Sequence, residues 1–593
     1  FYMFSKKIQI SFYIIVGLSL ILFFRVWQLQ ILEGQNYREL AENNRLRILK
    51  IPAPRGIIYD RNGIPLVKNI PSFSVYLLTQ NLNRIDINSL SELLGLKKED
   101  LEEKLNRHEN KFIPVKLKYN LTFEEVAKIE AKRSDFPGLF IETEGGREYP
   151  FGKLAAHVVG YLGRVTSSQL NNPSLRHFPP DALVGQWGAE ALFDEELRGI
   201  PGERVIEVDA LGRELRLLRE KQPVKGKDIE LSIDINVSKA VANAFGDRVG
   251  AFVAIKPDTG EILALESLPS FDPNVFSKGL KKDEWKSIVE DKRNPMLNRA
   301  VQSQYPPGSI FKIVTALAAL EEGIIDPNTK INCTGGINYG KWRFGCWKKE
   351  GHGPVDLYKA IVVSCDVYFY EIGKRLGIDK IHKYAVDMGL GNETGIELMP
   401  IKEKKGLIPT VEWKKTKKNQ PWYLGDTFIS AIGQGFVTIT PIQAALMTST
   451  FSNGGHIHKP TILKNGFKEK EGALNSQTIE IKQEHVRFIK KALFDVVNSV
   501  DGTAKTAKSN IISIAGKTGT AQVVGKKKGL IGGRFSDHAW FVAFAPVDKP
   551  EIALSVFVEH GGSGGGAAAP IAKQAIEAYV ISKKSQSSIA KIN

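Results

Sequence analysis

Residues 8–24 carry no charged side chain and are mostly Ile, Leu, Phe, Tyr and Val. Such a run has few ways to fold. In water it must be a buried core helix; in a bilayer only a helix satisfies every backbone N–H and C=O without water. Arg25 interrupts the run, and Val26, Trp27, Gln28 and Leu29 extend it. With the Arg25 head reaching the interface, the stretch is long enough to cross a hydrocarbon core. No small-x-small site follows, which argues against a cleaved signal peptide. Lys6 and Lys7 precede the span and favour a cytoplasmic N-terminus. The expectation is a single-pass protein of the cytoplasmic (inner) membrane, with residues from about 33 onward on the periplasmic or extracytoplasmic side.

The chain has 593 residues, enough for about two to four domains. Hydrophobic residues at 42% and charged residues at 25% fit a globular protein with a real core. Three cysteines exclude a disulfide-built scaffold. The net charge of +16 suggests an anionic partner, but its lysines are spread along the chain and no nucleic-acid motif accompanies them, so no nucleic acid is expected.

Residues 33–45 are polar and helix-permissive, and Pro52 and Pro54 end that segment. Residues 55–63 read as a strand closing in an Asn62-Gly63 turn, with 64–67 as its partner. A small α+β head spans about 70–140, with helical spacing over 89–96, 98–108 and 122–132, a strand at 73–77, and a capping box of Thr122 with Glu125. Residues 140–225 are strand- and turn-rich, without evident chemistry. A new domain starts near 226, with apolar strands at 250–255 and 262–265 joined by Pro257-Asp258-Thr259-Gly260. Two more strands, 539–545 and 552–558, and a helix at 570–581 close it, leaving a tail at 586–593. Strands at both ends of a domain with helices between predict an α+β fold, an antiparallel sheet covered by helices. The organisation expected is 1–32 tail and span, 33–225 pedestal with its head, and 226–585 catalytic domain.

Tyr305-Pro306-Pro307-Gly308 forces a turn, and 310–320 then read as a buried helix, so Ser309 and Lys312 lie one helical turn apart on one face. A serine hydroxyl needs a nearby base and a positive site for the oxyanion that follows; a lysine of lowered pKa and a helix N-terminus can supply them. Two further motifs lie downstream: Ser364-Cys365-Asp366 and Lys517-Thr518-Gly519-Thr520. Ser-x-x-Lys, Ser-x-Asn and Lys-Thr-Gly in that order mark the serine penicillin-recognising enzymes. With the single span, the segments around 55–63 and 185–202, Gly433-Gln434-Gly435, residues 27–30 and residues 344–353, the chain resembles class B penicillin-binding proteins of the elongation type, the penicillin-binding protein 2 group.

The resemblance implies a D,D-transpeptidase that cross-links peptidoglycan stem peptides during side-wall elongation, without any cofactor for the acyl transfer. Ser309 becomes acylated, Lys312 acts as base, Ser364 relays a proton, and Lys517 adds positive charge that lowers the Lys312 pKa. Lys517, Thr518, Gly519 and Thr520 hold the substrate carboxylate, and the Ser309 and Thr520 amides form the oxyanion hole. Implied partners are lipid-linked precursor strands, a membrane-embedded glycan polymerase of the elongation family, and β-lactam antibiotics as covalent inhibitors. Asp366 departs from the usual Asn, and its role stays open. Rival readings are a division-type relative, a β-lactam sensor or β-lactamase, and a non-catalytic scaffold.

Cys333, Cys346, His352 and Cys365 follow the spacing Cys-x12-Cys-x5-His-x12-Cys. Four such ligands within 33 residues suit a closed, structural Zn2+ site. The alternatives are a Cys333–Cys346 disulfide and three free thiols.

Overall fold

Tyr2–Trp27 is one α-helix, continued by a π-helical segment Gln28–Leu32, in a computed structural model that describes residues 2–589 apart from 80–81, 83–84, 107–113, 167, 172–174, 176–181, 209–213, 278, 281, 466–475 and 523–534. Its stretch Ile8–Leu32 has no protein cover, so its apolar side chains face outward. One N-terminal apolar helix of this length fits a single-pass membrane anchor.

Beyond the helix the chain divides into two compact units. The first comprises residues 1–56, 71–145 and 198–227. Helix Gly34–Arg45 leads into a three-stranded antiparallel sheet of Leu46–Ile51, Gly202–Val208 and Glu214–Lys221. Helices Ile87–Leu94, Lys98–Asn106 and Phe123–Ala131 and strand Val115–Leu121 surround a separate core of Leu90, Leu94, Leu101, Leu117 and Ile129. Both capping-box bonds form: the Glu125 amide donates to Thr122 Oγ1 (3.2 Å) and the Thr122 amide to Glu125 Oε2 (2.9 Å). The end of the helix expected over 98–108 lies outside the described residues.

The second unit comprises residues 57–70, 146–197 and 228–593. The Asn62-Gly63 turn is held by buried Asp60, whose carboxylate accepts from the amides of Asn62, Ile64 and Ile235. The main sheet has five strands, all antiparallel, in the order Ile262–Leu268, Gly250–Ile255, Ile552–Val558, His538–Ala545 and Ala515–Ala521. The middle strands are buried on both faces and so read as nearly continuous apolar runs, with the Ser555 hydroxyl donating to Pro441 O. Helix Pro441–Ser452 packs on one face; helices Ile235–Phe245 and Ala569–Ile589 pack on each other, the first against strand Ile262–Leu268 and the second against strands His538–Ala545 and Ile552–Val558. The Ala515 strand is left at the sheet edge, beside the turn that carries Ser309.

That turn is held from several sides. Tyr305 exchanges backbone hydrogen bonds with Ile439 (2.9 and 3.0 Å), the Trp540 indole donates to Pro306 O (3.0 Å), and the Gly308 amide donates to Gly433 O (2.8 Å). Gly433 has φ +72°, and a Cβ there would lie 2.4 Å from Gly308 O and 2.6 Å from Phe311 Cβ. Gly433→Ala should therefore push the Ser309 turn out of place, costing about 2–4 kcal/mol from left-handed backbone strain and overpacking. A lowered melting temperature together with slower labelling by a fluorescent penicillin is the expected result; thermal denaturation and labelling kinetics check it.

Candidate active site

Gly308–Phe311 is a single 3₁₀ turn that runs directly into helix Lys312–Glu321. Ser309 is half-buried on that turn, while Lys312 is 1% exposed. A buried ammonium needs partners. Lys312 Nζ donates to Asp366 Oδ1 (2.7 Å), Ser364 O (3.0 Å) and Ser364 Oγ (3.2 Å), and sits 5.3 Å from the centre of the Phe369 ring. Asp356 caps helix Leu357–Val362, and the chain then turns through Ser364 in the left-handed region (φ +55°) before helix Asp366–Leu376 begins. This reversal brings the Ser364 hydroxyl between two lysines.

The second lysine is Lys517, on the edge strand and fully buried. Its Nζ donates to Ser364 Oγ at 2.9 Å and to Thr518 O at 3.2 Å. Burial holds its pKa well below the ordinary lysine value; the Lys312 charge pushes the same way, and Asp366 opposes both. A hydroxyl that accepts from two nitrogens keeps its own hydrogen to donate elsewhere. Thr518 shares a hydroxyl hydrogen bond with Thr503 (2.8 Å). The backbone of Gly308 lies against Thr520, a Cβ position 2.6 Å from Thr520 O, and Gln434 Nε2 donates to that same oxygen (3.0 Å). Gly519 is closed in by Pro307 O, Trp540 and Gly564. In the glycine-rich stretch 561–566, whose composition suggests a flexible loop, Gly564 is packed tightly, a Cβ there falling 2.1 Å from Trp540 O, whereas Gly562 has nothing near it.

Cys333, Cys346, His352 and Cys365 also converge. One ligand atom from each lies within 4.8 Å of all the others, and no disulfide joins the three cysteines. His352 Nδ1 is 3.6 Å from both Cys333 Sγ and Cys346 Sγ. The Zn–S and Zn–N bond lengths of a tetrahedral site put nitrogen and sulfur about 3.6 Å apart. The neighbouring Cys365 thiol holds the Cys346 pKa below the ordinary thiol value, against the opposing effect of burial. This donor set therefore fits a zinc ion. The cluster adjoins the lysine pair through Trp347, whose amide donates to Asp366 Oδ2 (3.0 Å) and whose indole donates to Val363 O (3.0 Å) and Ser364 O (3.1 Å). Trp347 and Thr503 were not singled out in the sequence. Trp347 follows a ligand cysteine, which was the available signal; Thr503 offered none.

The family model "Penicillin binding protein transpeptidase domain" matches residues 250–577, and "Penicillin-binding Protein dimerisation domain" matches residues 50–231. The peptidoglycan D,D-transpeptidase MrdA of Acinetobacter baumannii is 37% identical over 585 residues, spanning 95% of this chain and 86% of that protein. The penicillin-binding protein PBP2 from Helicobacter pylori, solved in complex with MreC, superposes with a TM-score of 0.80 at 31% identity, covering 90% of this chain and 99% of that one. A peptidoglycan synthase complex solved for its coordination of polymerization and crosslinking gives a TM-score of 0.72 at 33% identity, covering 96% and 97%. The chain belongs to the penicillin-binding protein transpeptidases, and within them to the penicillin-binding protein 2 group.

Proposed function

We propose that this chain is the peptidoglycan D,D-transpeptidase of side-wall elongation and that Ser309 is its nucleophile. The observation that carries the reading is the Ser364 hydroxyl, buried and accepting from both Lys312 and Lys517 beside the Ser309 turn. Two ammonium groups against one carboxylate leave a buried excess charge, and releasing one proton relieves it. Lys517 is the lysine whose proton affinity burial lowers. A proton shift through the Ser364 hydroxyl then gives a neutral Lys312. Ser309 Oγ attacks the penultimate D-Ala carbonyl of the donor stem peptide, its proton passes to Lys312, and the Ser309 and Thr520 amides hold the oxyanion. Collapse breaks the peptide bond and expels D-Ala, whose nitrogen takes a proton through Ser364. The acceptor amine then attacks the acyl-enzyme, and its proton returns along the same path as Ser309 is released. The Thr518 and Thr520 hydroxyls receive the terminal carboxylate, with Lys517 behind them and Gly519 leaving room for the turn.

The catalytic domain, proposed as residues 226–585, lies outside the cytoplasm, with the N-terminus inside. Solved relatives in complex with MreC and in a peptidoglycan synthase complex support a membrane-embedded glycan polymerase as partner and lipid-linked precursor strands as the shared substrate. Cys333, Cys346, His352 and Cys365 would hold a structural Zn2+, which would supply only cross-linking of the loop; no step of the acyl transfer uses it.

Intact-mass analysis after penicillin treatment should show one adduct, located on Ser309 and absent from Ser309→Ala. Lys312→Ala should slow acylation roughly 10²- to 10⁴-fold. An adduct on another residue, or rapid turnover of the drug, overturns the assignment. Lys517 predicts a pH dependence of stability. Its folded pKa is depressed. Above that value, up to about 10.4, the unfolded chain still holds a proton that the folded chain has released, so stability rises with pH. Lys517→Met should lose that rise in denaturant titrations run from neutral to alkaline pH. Metal analysis should find one zinc per chain, reduced in Cys346→Ser; near-zero zinc with two thiols unreactive sinks the zinc reading.

A further inference from the structure

Asp366 stands where the family's general pattern has Asn, and its surroundings account for the difference. Both carboxylate oxygens are occupied by N–H donors: Oδ1 by Lys312 Nζ at 2.7 Å and Oδ2 by the Trp347 amide at 3.0 Å. An asparagine has one acceptor oxygen and one NH2 group. Whichever way its amide is turned, the NH2 faces either the Lys312 ammonium or the Trp347 N–H, donor against donor. Only a carboxylate satisfies both sides of this buried position.

We propose that Asp366 is a positioning residue whose two oxygens tie Lys312 to the Trp347 amide, so that the loop carrying Cys346 and His352 fixes where the base stands. The tie is reinforced by the Trp347 indole, which donates to Ser364 O, the carbonyl that also accepts from Lys312. A carboxylate is rigid and planar, so movement of the loop against Oδ2 moves Oδ1 and the ammonium bound to it. Cys346 and Cys365 each immediately precede a partner in this bond, Trp347 and Asp366. Whatever holds the two cysteines together therefore holds the bond.

This inference rests on Lys312 being the base, and the test keeps the two claims separate. Full-length Asp366→Ala in detergent is compared with the parent chain by acylation rate with a fluorescent penicillin and by amide hydrogen exchange of peptides spanning residues 346–348. Acylation should slow roughly 10- to 100-fold and the Trp347 amide should exchange at least about tenfold faster, the cost of leaving a buried donor unpaired. Exchange in the strands Gly250–Ile255 and Ile552–Val558 should not change, whereas a merely structural role would loosen them too. Unchanged Trp347 exchange overturns the tie, and unchanged acylation overturns the positioning role. If Asp366→Ala does not fold, Asp366→Glu is scored on the same two readouts: loss in both supports the proposal, and loss in one alone overturns it. Lys312→Ala that acylates at the parent rate would refute the base reading alone, with Trp347 exchange still reporting on the tie.

Discussion

Two lysine side chains reach one serine hydroxyl inside a protein, at 3.2 and 2.9 Å. Few arrangements are harder to hold, because each ammonium resists burial and each repels the other. Much of the second unit can be understood as what makes this contact tolerable. Asp366 supplies one negative charge. The Ser364 carbonyl and the Phe369 ring face give Lys312 further partners, and the Thr518 carbonyl does so for Lys517. The lowered proton affinity of Lys517 completes the compensation. A site under such strain is also one in which a proton moves readily, which is what acyl transfer requires.

The three elements that meet here are far apart in the chain, and the sheet order explains how they do so. Lys517 comes in on an edge strand, with no further strand beside it among the described residues to fill the space where Ser364 sits. Lys312 comes in on the first turn of a helix whose next eight residues are buried, so its position is set by the core and not by solvent. Ser364 comes in on a left-handed residue between two helices, a backbone conformation costly for a serine and maintained by the hydrogen bonds around it. Each approach is rigid for a different reason.

What was legible in the sequence follows from the same geometry. The apolar N-terminal helix, four of the five strands of the main sheet, the Pro-Pro-Gly turn and the Thr122 capping box depend on neighbours a few residues away, and all are visible in the order of residues; the Ala515–Ala521 strand was not. The motif lysines and serines were legible through resemblance, since nothing local says that residues 312, 364 and 517 touch. The bond between Trp347 and Asp366 and the pairing of Thr503 with Thr518 join segments with no shared periodicity, and a linear reading has no means of finding them. Gly564, within the glycine-rich stretch 561–566, is hidden for a related reason: the composition of a flexible linker is also the composition needed where backbone packs on backbone, as Gly564 does on Trp540 O.

The cysteine cluster has a consequence in redox terms. Three thiols gathered within 4.8 Å of one another are an odd set, and an oxidant that joins two of them must draw their sulfurs to about 2.05 Å. Cys346 and Cys365 flank the bond that anchors Asp366. Pairing either with Cys333 would drag one end of that bond away from Lys312. A ligand that keeps all three sulfurs occupied thus also serves as an antioxidant guard for a serine enzyme whose own chemistry involves no sulfur at all.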